Sequence, residues 1–285
     1  MIRAADAVAA LRERFAPASP SATLDAELLV AWVLGQPRAA LAADPERALA
    51  PGELTMLESL ALRRLAGEPV AYLTGRREFW TLELEVTPDV LVPRPETELL
   101  VERTLAAITG TARPAVLDLG TGSGAVALAV AASRQDAVVT ATDLSPAALA
   151  VAKRNAARAG LANLRFFAGD WYAPLGAARF DAIASNPPYV AEGDPALAGL
   201  AHEPRLALTA GPDGLAALGT IAAGAAARLA PGGRLLLEHG AGQGEAVRAL
   251  LRAAGFDGVG TCRDLAGHER VTEGARPREA LESAP

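Results

Sequence analysis

Four consecutive residues, Asn186, Pro187, Pro188 and Tyr189, place an amide, two prolines and an aromatic ring directly after an apolar run. Residues 182–185 predict a buried strand, and the prolines end it because neither can donate a backbone hydrogen bond. The Asn carbonyl and a backbone carbonyl can each accept an N–H bond, while the Tyr ring can stack on a plane. The tetrapeptide therefore predicts a site for a planar nitrogen substrate, although Asn-Pro is also a common turn.

A glycine-rich turn follows an earlier predicted strand, at residues 115–119. The turn comprises Gly120, Thr121, Gly122, Ser123 and Gly124. Its glycines allow the backbone to turn tightly and to approach a ligand closely. NAD is an alternative ligand, but the Gly-x-Gly-x-Gly spacing is one residue short of the dinucleotide pattern. Asp118, just before the turn, would repel a pyrophosphate, so the turn favours a cationic ligand without phosphate.

Two further strand ends carry groups that suit a nucleoside. Asp143 could accept hydrogen bonds from both ribose hydroxyls, although an acid there could also complement a helix N-terminus. Asp170 could accept the adenine amino group, and Trp171 could line the adenine pocket or simply be a core residue. Asp143 alone does not exclude NAD. Together these strand ends predict S-adenosylmethionine as the cofactor, with no metal, and a methyltransferase site.

The chemistry of the acceptor makes a base unnecessary. An amide nitrogen is a weak nucleophile, and two acceptors on its N–H bonds would orient it for in-line attack on a sulfonium methyl. Catalysis would then rest on positioning and electrostatics, with Asn186, Pro187 and Tyr189 as the catalytic set. His202, His239 and His268 are expected to be surface or structural residues.

The elements that must position these groups alternate between strands and helices from residue 114 onward. Strands are predicted at 115–119, 138–142, 164–168, 180–184 and 235–237, and helices at 125–132, 146–159 and 215–229. Nearly continuous apolar strands between helices predict a mainly parallel, doubly wound sheet, with ligands at its carboxyl ends. Residues 256–262 and 269–273 predict a final strand pair, 231–233 a turn, and the tail from 276 to 285 is expected to fray.

The first part of the chain lacks a chemical motif. Apolar spacings of three and four residues predict helices, including one in which Leu24, Leu28 and Trp32 repeat every fourth residue and which stops near Gly35. An alternating pattern then predicts a β-hairpin in which residues 82–86 pair with 90–92 across a turn at 87–89. The helical part is expected to be a packing or docking module.

Composition limits the classes of function. The chain has 285 residues, 51% of them hydrophobic, and 27 basic against 33 acidic residues give a net charge of −6. An acidic chain is poorly suited to a sequence-independent grip on nucleic-acid phosphates, so no direct nucleic-acid binding is expected. Cys262 is the single cysteine, which excludes an intrachain disulfide and a cysteine zinc site. The N-terminus lacks a signal-peptide layout and no stretch could span a bilayer, so a cytoplasmic location without membrane attachment is expected.

The motifs along nearly the whole chain resemble one family, the protein-(glutamine-N5) methyltransferases of peptide chain release factors (PrmC/HemK family). The turn, the acids and the tetrapeptide above all match its pattern. The other matching segments are 24–29 (LDAELL), 67–75 (GEPVAYLTG), 78–80 (EFW), 91–98 (LVPRPETE), 203–208 (EPRLAL), 213–215 (DGL) and 264–267 (DLAG). Residues 238–240 and 267–270 depart from the expected pattern at their histidines.

The resemblance implies a Rossmann-like class I methyltransferase fold in three parts. They are a helical bundle at 1–75 that docks release factors, a β-hairpin linker at 76–92 and a catalytic domain at 93–285. The substrate would be the glutamine of the Gly-Gly-Gln motif in class 1 release factors, which act in translation termination. Residues 120–124, Asp143, Trp171 and Asn186 would contact S-adenosylmethionine, and 186–189 would hold the glutamine.

Some alternatives stay open on the sequence alone. Arg94, Glu96 and Thr97 could close the cofactor pocket or cap the first helix of the catalytic domain. The same tetrapeptide could serve an N-methyltransferase that acts on an exocyclic amine of a nucleic-acid base flipped into the site. A cofactor-binding module without activity and an NAD-dependent dehydrogenase are the remaining alternatives.

Overall fold

A computed structural model describes residues 1–278 of the chain. The expected fraying from residue 279 onward therefore lies outside the described residues. The chain divides into two compact units, Met1–Arg76 and Arg77–Pro285. Within the described part, no helix is both long and apolar enough to cross a bilayer.

The first unit is a helical bundle, as predicted. Its helices are α1 (Ala4–Phe15), α2 (Ala22–Val33), α3 (Arg38–Ala43), α4 (Pro51–Leu65) and α5 (Val70–Thr74). The helix predicted at 24–32 is present and ends before Gly35. Gly35 itself adopts a left-handed conformation, with a φ of +63°. However, Leu24 and Trp32 are exposed, and α2 instead buries the face that carries Ala26 and Leu29. Small residues allow this face to pack closely, so the large apolar residues alone did not identify the buried face.

A β-hairpin follows the helical bundle in the chain, although its strands differ from the prediction. Strand β1 (Arg76–Phe79) pairs with β2 (Leu82–Glu85), and the chain reverses at Trp80, which has a φ of +57°. The predicted partner at 90–92 forms no strand. Val92 is buried, but its backbone N–H donates to the Glu203 carboxylate at 3.1 Å rather than to a neighbouring strand.

The remaining elements build an α/β layer structure. They are α6 (Glu98–Ala107), β3 (Ala115–Leu119), α7 (Ala125–Ser133), β4 (Val138–Asp143), α8 (Pro146–Arg158), β5 (Leu164–Ala168), β6 (Phe180–Ser185), α9 (Ala216–Ala225), β7 (Leu229–Glu238), α10 (Gly244–Ala253), β8 (Asp257–Arg263) and β9 (Glu269–Ala275). Strands β3 and β7 contribute fully buried leucines, and β6 contributes Ile183, to the core between the sheet and its helices.

The described strands from β3 onward form one seven-stranded sheet in the order β5-β4-β3-β6-β7-β9-β8. Strands β3 to β7 run parallel, whereas β9 lies antiparallel between β7 and β8. This confirms the doubly wound, mainly parallel sheet and the final strand pair. The strand order reverses at β3, which pairs with β4 on one side and β6 on the other, and ligands bind in the crevice at such a point.

Two details of the second half differ from the prediction. The helix predicted at 215–229 ends at Ala225, and β7 already begins at Leu229. The predicted turn at 231–233 is a bulge inside this strand, because the pairing with β6 jumps from Leu229 opposite Phe180 to Arg234 opposite Ala182. Helix α10 was not predicted at all, although it buries Val247 and Leu251 on one face.

Candidate active site

The glycine-rich turn links the end of β3 to the start of α7. Gly120, Gly122 and Gly124 all have positive φ values, of +69°, +56° and +87°. At Gly124 a Cβ atom would lie 2.5 Å from Leu128 Cδ1 and 3.2 Å from Ala152 Cβ. Both the backbone conformation and this close packing require glycine, and the turn thereby presents backbone along one wall of a cleft.

Asp118 is buried beneath this turn. Its Oδ2 atom accepts hydrogen bonds from the Thr121 hydroxyl at 2.6 Å and from the Ala127 N–H at 3.2 Å. Burial raises the pKa of Asp118 to about 7 because the charged form loses its hydration. No cationic side chain of the described residues bonds this carboxylate, so a bound cation would stabilise its ionised form.

Asp143 ends β4 with both carboxylate oxygens already oriented. Oδ2 accepts from the Gly122 N–H and Oδ1 from the Ser145 N–H, each at 2.8 Å. Burial raises the pKa of Asp143, while these backbone donors act in the opposite direction. Because each carboxylate oxygen can accept a second bond, Asp143 can still receive two hydroxyl donors from a ligand.

Asp170 and Trp171 follow β5 at the same edge of the sheet. Asp170 is exposed, and Trp171 adopts a φ of +40°, unusual for a residue with a bulky side chain. The Trp171 ring lies 3.5 Å from the position of a Cβ on Gly120, so it packs against the glycine-rich turn. The Gly169 N–H donates to the Asp143 carbonyl at 3.0 Å, which ties the two strand ends together.

Asn155 of α8 supports the turn from behind. Its side-chain N–H groups donate to the carbonyls of Ser123 at 2.9 Å and Glu85 at 3.0 Å, and its Oδ1 accepts from the Glu85 N–H. The buried amide thus joins the hairpin to the glycine-rich turn. The one sequence signal for this supporting role is an Asn inside a predicted amphipathic helix, where Asn is uncommon.

The tetrapeptide leaves β6 beside these groups. Asn186 and Pro188 line the same cleft as the turn and the acids, whereas Pro187 is buried and, like Tyr189, lies outside the lining. The Asn186 Nδ2 group donates to the Thr97 hydroxyl at 3.1 Å. The Tyr189 carbonyl accepts from Gln243 Nε2 at 3.0 Å, and its hydroxyl points to Glu238 Oε1 at 3.5 Å.

Glu238 is a functional candidate that sequence reasoning missed. It ends β7 and is almost completely buried. It lies next to Asn186, because the residues before them, Leu237 and Ser185, pair in neighbouring strands. Burial raises its pKa to about 7, whereas the nearby Thr97 hydroxyl, the charge of Arg270 and the Tyr189 hydroxyl act in the opposite direction. In the sequence, polar residues were sought at the carboxyl ends of four predicted strands. The same search at the end of the predicted strand 235–237 would have identified Glu238.

The segment before α6 belongs to the same site. Thr97 makes no capping hydrogen bond to the start of α6, so that alternative is wrong for its side chain. Arg94 forms an ion pair with the buried Glu203, and Glu96 is exposed. The Arg94–Glu203 pair joins the residue before the short 3₁₀ helix Pro95–Thr97 to the start of the 203–208 motif. Pro204, Leu206 and Ala207 of that motif line the cleft.

The cleft encloses about 1110 Å³, including its opening to solvent. Among the described residues that line it are four carboxylates and no Lys or Arg. The acidic residues are Asp89, Asp118, Asp143 and Asp170. His239 lies outside the lining and is buried, with Nδ1 bonded to the Gly240 carbonyl and Nε2 to the Thr272 hydroxyl, which agrees with the expected structural role. The lining suits a cationic ligand without phosphate.

Comparison with protein families divides the chain in a similar way. Residues 6–75 match the model described as PrmC N-terminal domain, and residues 95–203 match the Methyltransferase small domain. The chain is 54% identical to a release factor glutamine methyltransferase of Burkholderia pseudomallei, over 91% of this chain and 94% of that protein. A release factor glutamine methyltransferase of Bordetella pertussis is 56% identical, over 88% and 94%.

A solved structure supports the fold independently. A methyltransferase from Pyrococcus furiosus superposes with a TM-score of 0.54 and 20% identity, over 77% of this chain and 98% of that one. At this identity the likeness shows the fold alone.

Proposed function

The chain belongs to the family of release factor glutamine methyltransferases, and we propose that it methylates the side-chain nitrogen (N5) of the glutamine in the Gly-Gly-Gln motif of class 1 peptide chain release factors. S-adenosylmethionine is the donor. The observation that carries the proposal is the position of Asn186, an amide at the wall of an acidic cleft whose described lining includes no Lys or Arg.

The residues of the cleft fit this donor. Asp118 and Asp143 provide carboxylates for a cationic ligand with hydroxyl groups, and Asp170 and Trp171 provide an acceptor and a flat wall for its base. The glycine-rich turn leaves room for close approach of the methionine part to the backbone. When bound, S-adenosylmethionine supplies a methyl group made electrophilic by the attached sulfonium.

The residues of the tetrapeptide orient the acceptor. Asn186 Oδ1 accepts one N–H bond of the substrate glutamine, and a backbone carbonyl of the tetrapeptide accepts the other. These two acceptors hold the amide nitrogen toward the methyl group and increase its electron density. Such fixed dipoles lower the barrier because they need no reorganisation during the reaction.

The proton balance needs no dedicated base. The nitrogen forms a bond to the methyl carbon as the carbon–sulfur bond breaks, and the methylated nitrogen then becomes acidic and loses a proton to solvent. His239 is unsuited to this step because both of its ring nitrogens are already hydrogen-bonded and burial lowers its pKa.

The experiment compares Asn186→Ala with wild type, using labelled donor and an unmethylated class 1 release factor or nucleic acid as acceptor. We expect label only in the release factor, with most transfer lost in Asn186→Ala and donor affinity retained within about tenfold. Asn163→Ala is a matched control, because that amide bonds three backbone carbonyls outside the cleft. Label in nucleic acid alone, or unchanged turnover in Asn186→Ala, would overturn the proposal.

A further inference from the structure

The side chain of Gln243 holds the last residue of the tetrapeptide by its backbone. Gln243 Nε2 donates to the Tyr189 carbonyl at 3.0 Å, across 54 residues of the chain. Pro187 and Pro188 carry no N–H, so the backbone at these two positions cannot anchor itself by donating a hydrogen bond. A donor that reaches the next carbonyl therefore restrains a segment that has few other means of being fixed.

The orientation of the Gln243 amide follows from its backbone partners. Its Oε1 accepts from the Gly240 N–H at 2.8 Å, and a backbone N–H can only donate. Its Nε2 faces the carbonyls of Tyr189 at 3.0 Å and Asp213 at 3.4 Å, and carbonyls can only accept. All three contacts require the same orientation. The amide is thus fixed by neutral groups whose hydrogen-bonding roles do not change with pH.

Two glycines leave the space that this amide occupies. A Cβ on Gly214 would lie 3.0 Å from Gln243 Nε2, and a Cβ on Gly240 would lie 3.0 Å from Gln243 Oε1. The Cβ on Gly240 would also lie 3.7 Å from Tyr189 Cδ2. A larger residue at either glycine would press on the amide. The amide therefore fits closely between the tetrapeptide, the segment that ends at Gly214 and the turn after β7.

The bond from Gln243 lies between two other points at which the chain is fixed. Before the tetrapeptide, Ser185 is paired on both sides within the sheet. After it, the Val190 N–H donates to the Leu208 carbonyl at 2.9 Å. Gln243 restrains the turn between these points, and this turn carries Asn186 and the carbonyls beside it.

Capping of a helix does not explain the side chain of Gln243. The residue occupies the N-cap position of α10, but its side chain makes no capping hydrogen bond. Gln is also not among the residues that commonly cap a helix N-terminus. Its amide instead bonds groups in three separate segments of the chain, at Tyr189, Asp213 and Gly240.

We propose that Gln243 is a positioning residue, which holds the backbone of the tetrapeptide in the arrangement that presents its acceptors to the substrate glutamine. The inference rests on the proposed function, in which Asn186 and a carbonyl of the tetrapeptide accept the two N–H bonds of that glutamine. Gln243 does not line the cleft, so its effect falls on turnover and leaves donor binding intact.

The first test uses Gln243→Met, which keeps the length of the side chain and removes its hydrogen bonds. We expect kcat with an unmethylated release factor to fall by about tenfold or more, because the released carbonyl lets the groups that orient the substrate shift. S-adenosylmethionine affinity, measured by calorimetry, should stay within about threefold of wild type. Wild-type kcat in Gln243→Met would overturn the inference.

Asn163→Leu is the matched control. It also replaces an amide that donates to backbone carbonyls by an apolar side chain of similar size, but those carbonyls lie outside the cleft. It should lower the unfolding free energy in urea and leave kcat within about threefold of wild type. Equal losses of kcat in Gln243→Met and Asn163→Leu would indicate a general loss of stability and overturn the proposal.

The second test uses Gln243→Glu, which separates the two ends of the amide. At about pH 8.5 its carboxylate can still accept from the Gly240 N–H but has no donor for the Tyr189 carbonyl. We expect it to lose at least as much kcat as Gln243→Met. Full activity of Gln243→Glu beside an impaired Gln243→Met would assign the effect to the Gly240 contact and refute the role of the Tyr189 carbonyl.

The third test measures coupling to Gly214, whose Cβ would also press on the Tyr189 carbonyl. Because both changes act on one carbonyl, the double variant Gly214→Ala/Gln243→Met should lose less kcat than the product of the two single losses, and a full product would contradict the inference. If Asn186→Ala is inactive while Gln243→Met is fully active, this inference fails and the proposed function stands. If Asn186→Ala is itself fully active, the proposed function fails and this inference fails with it.

Discussion

A methyl group on Gly214 would collide with the carbonyl oxygen of Tyr189. Gly214 has a φ of +74°, and its Cβ would lie 2.2 Å from the Tyr189 oxygen and 3.0 Å from Gln243 Nε2. Gly211, three residues earlier, has nearly the same φ of +75°, but its Cβ would meet only Ala216 Cβ at 3.5 Å. The two glycines therefore share the same backbone strain on substitution and differ in the contact.

The geometry sets the size of the effect. For Gly214→Ala, the Tyr189 oxygen would have to retreat by about 0.8 Å before the contact reached 3.0 Å. Left-handed backbone costs an alanine about 1–2 kcal/mol at either position. Overpacking adds about 1–3 kcal/mol at position 214 alone. A shift of this size at a residue that follows Asn186 by three positions should reduce turnover by about 100-fold.

The assay measures kcat with a release factor, donor affinity by calorimetry and the unfolding free energy in urea for both variants. Gly214 does not line the cleft, so donor affinity should stay within about twofold of wild type in each. Gly211→Ala should lose stability but little turnover. The reasoning is refuted if Gly214→Ala turns over as fast as Gly211→Ala, because the displaced carbonyl would then be unimportant.

Two further predictions concern the acids of the cleft. Folding raises the pKa of Asp118 from 3.8 to about 7, so the folded state binds more protons between those values and this residue's contribution to the unfolding free energy falls as pH rises through that window. Asp118→Asn should remove that fall and weaken donor binding, as measured by urea unfolding and calorimetry at pH 5 and 8; an unchanged pH dependence would contradict it. Asp143→Ala should weaken donor binding by about tenfold or more in calorimetry, since it removes charge-assisted acceptors, and unaltered affinity would show that the donor does not contact Asp143.

The strand ends could be predicted because residues close together in the sequence determine where a buried strand stops. An apolar run followed by Asp143, Asp170 or Asn186 predicts both a strand and its polar end. Parallel strands bring all such ends to one edge of the sheet. The structure accordingly brings these residues to one edge of the sheet, and all three line one cleft. The assignment of their individual contacts to donor and substrate remains a prediction.

The partners of those residues could not be predicted in the same way. Thr97, Glu238 and Gln243 contact the tetrapeptide from positions 49 to 89 residues away, and nothing in local spacing announces such contacts. The predicted second strand of the hairpin was wrong for a related reason. Residues 90–92 have the apolar pattern of a strand, but Glu203, more than 100 residues later, bonds the Val92 N–H and no strand partner forms.

The acidic lining of the cleft has a consequence for the steps after methyl transfer. Loss of the methyl group converts the sulfonium into an uncharged thioether, so the spent cofactor no longer carries the positive charge that the surrounding carboxylates attract. We expect the cleft to hold the product less tightly than the donor, which limits product inhibition and favours exchange in a cell where both compounds compete. Added salt screens the solvent-exposed part of this attraction and should reduce the difference in affinity between donor and product.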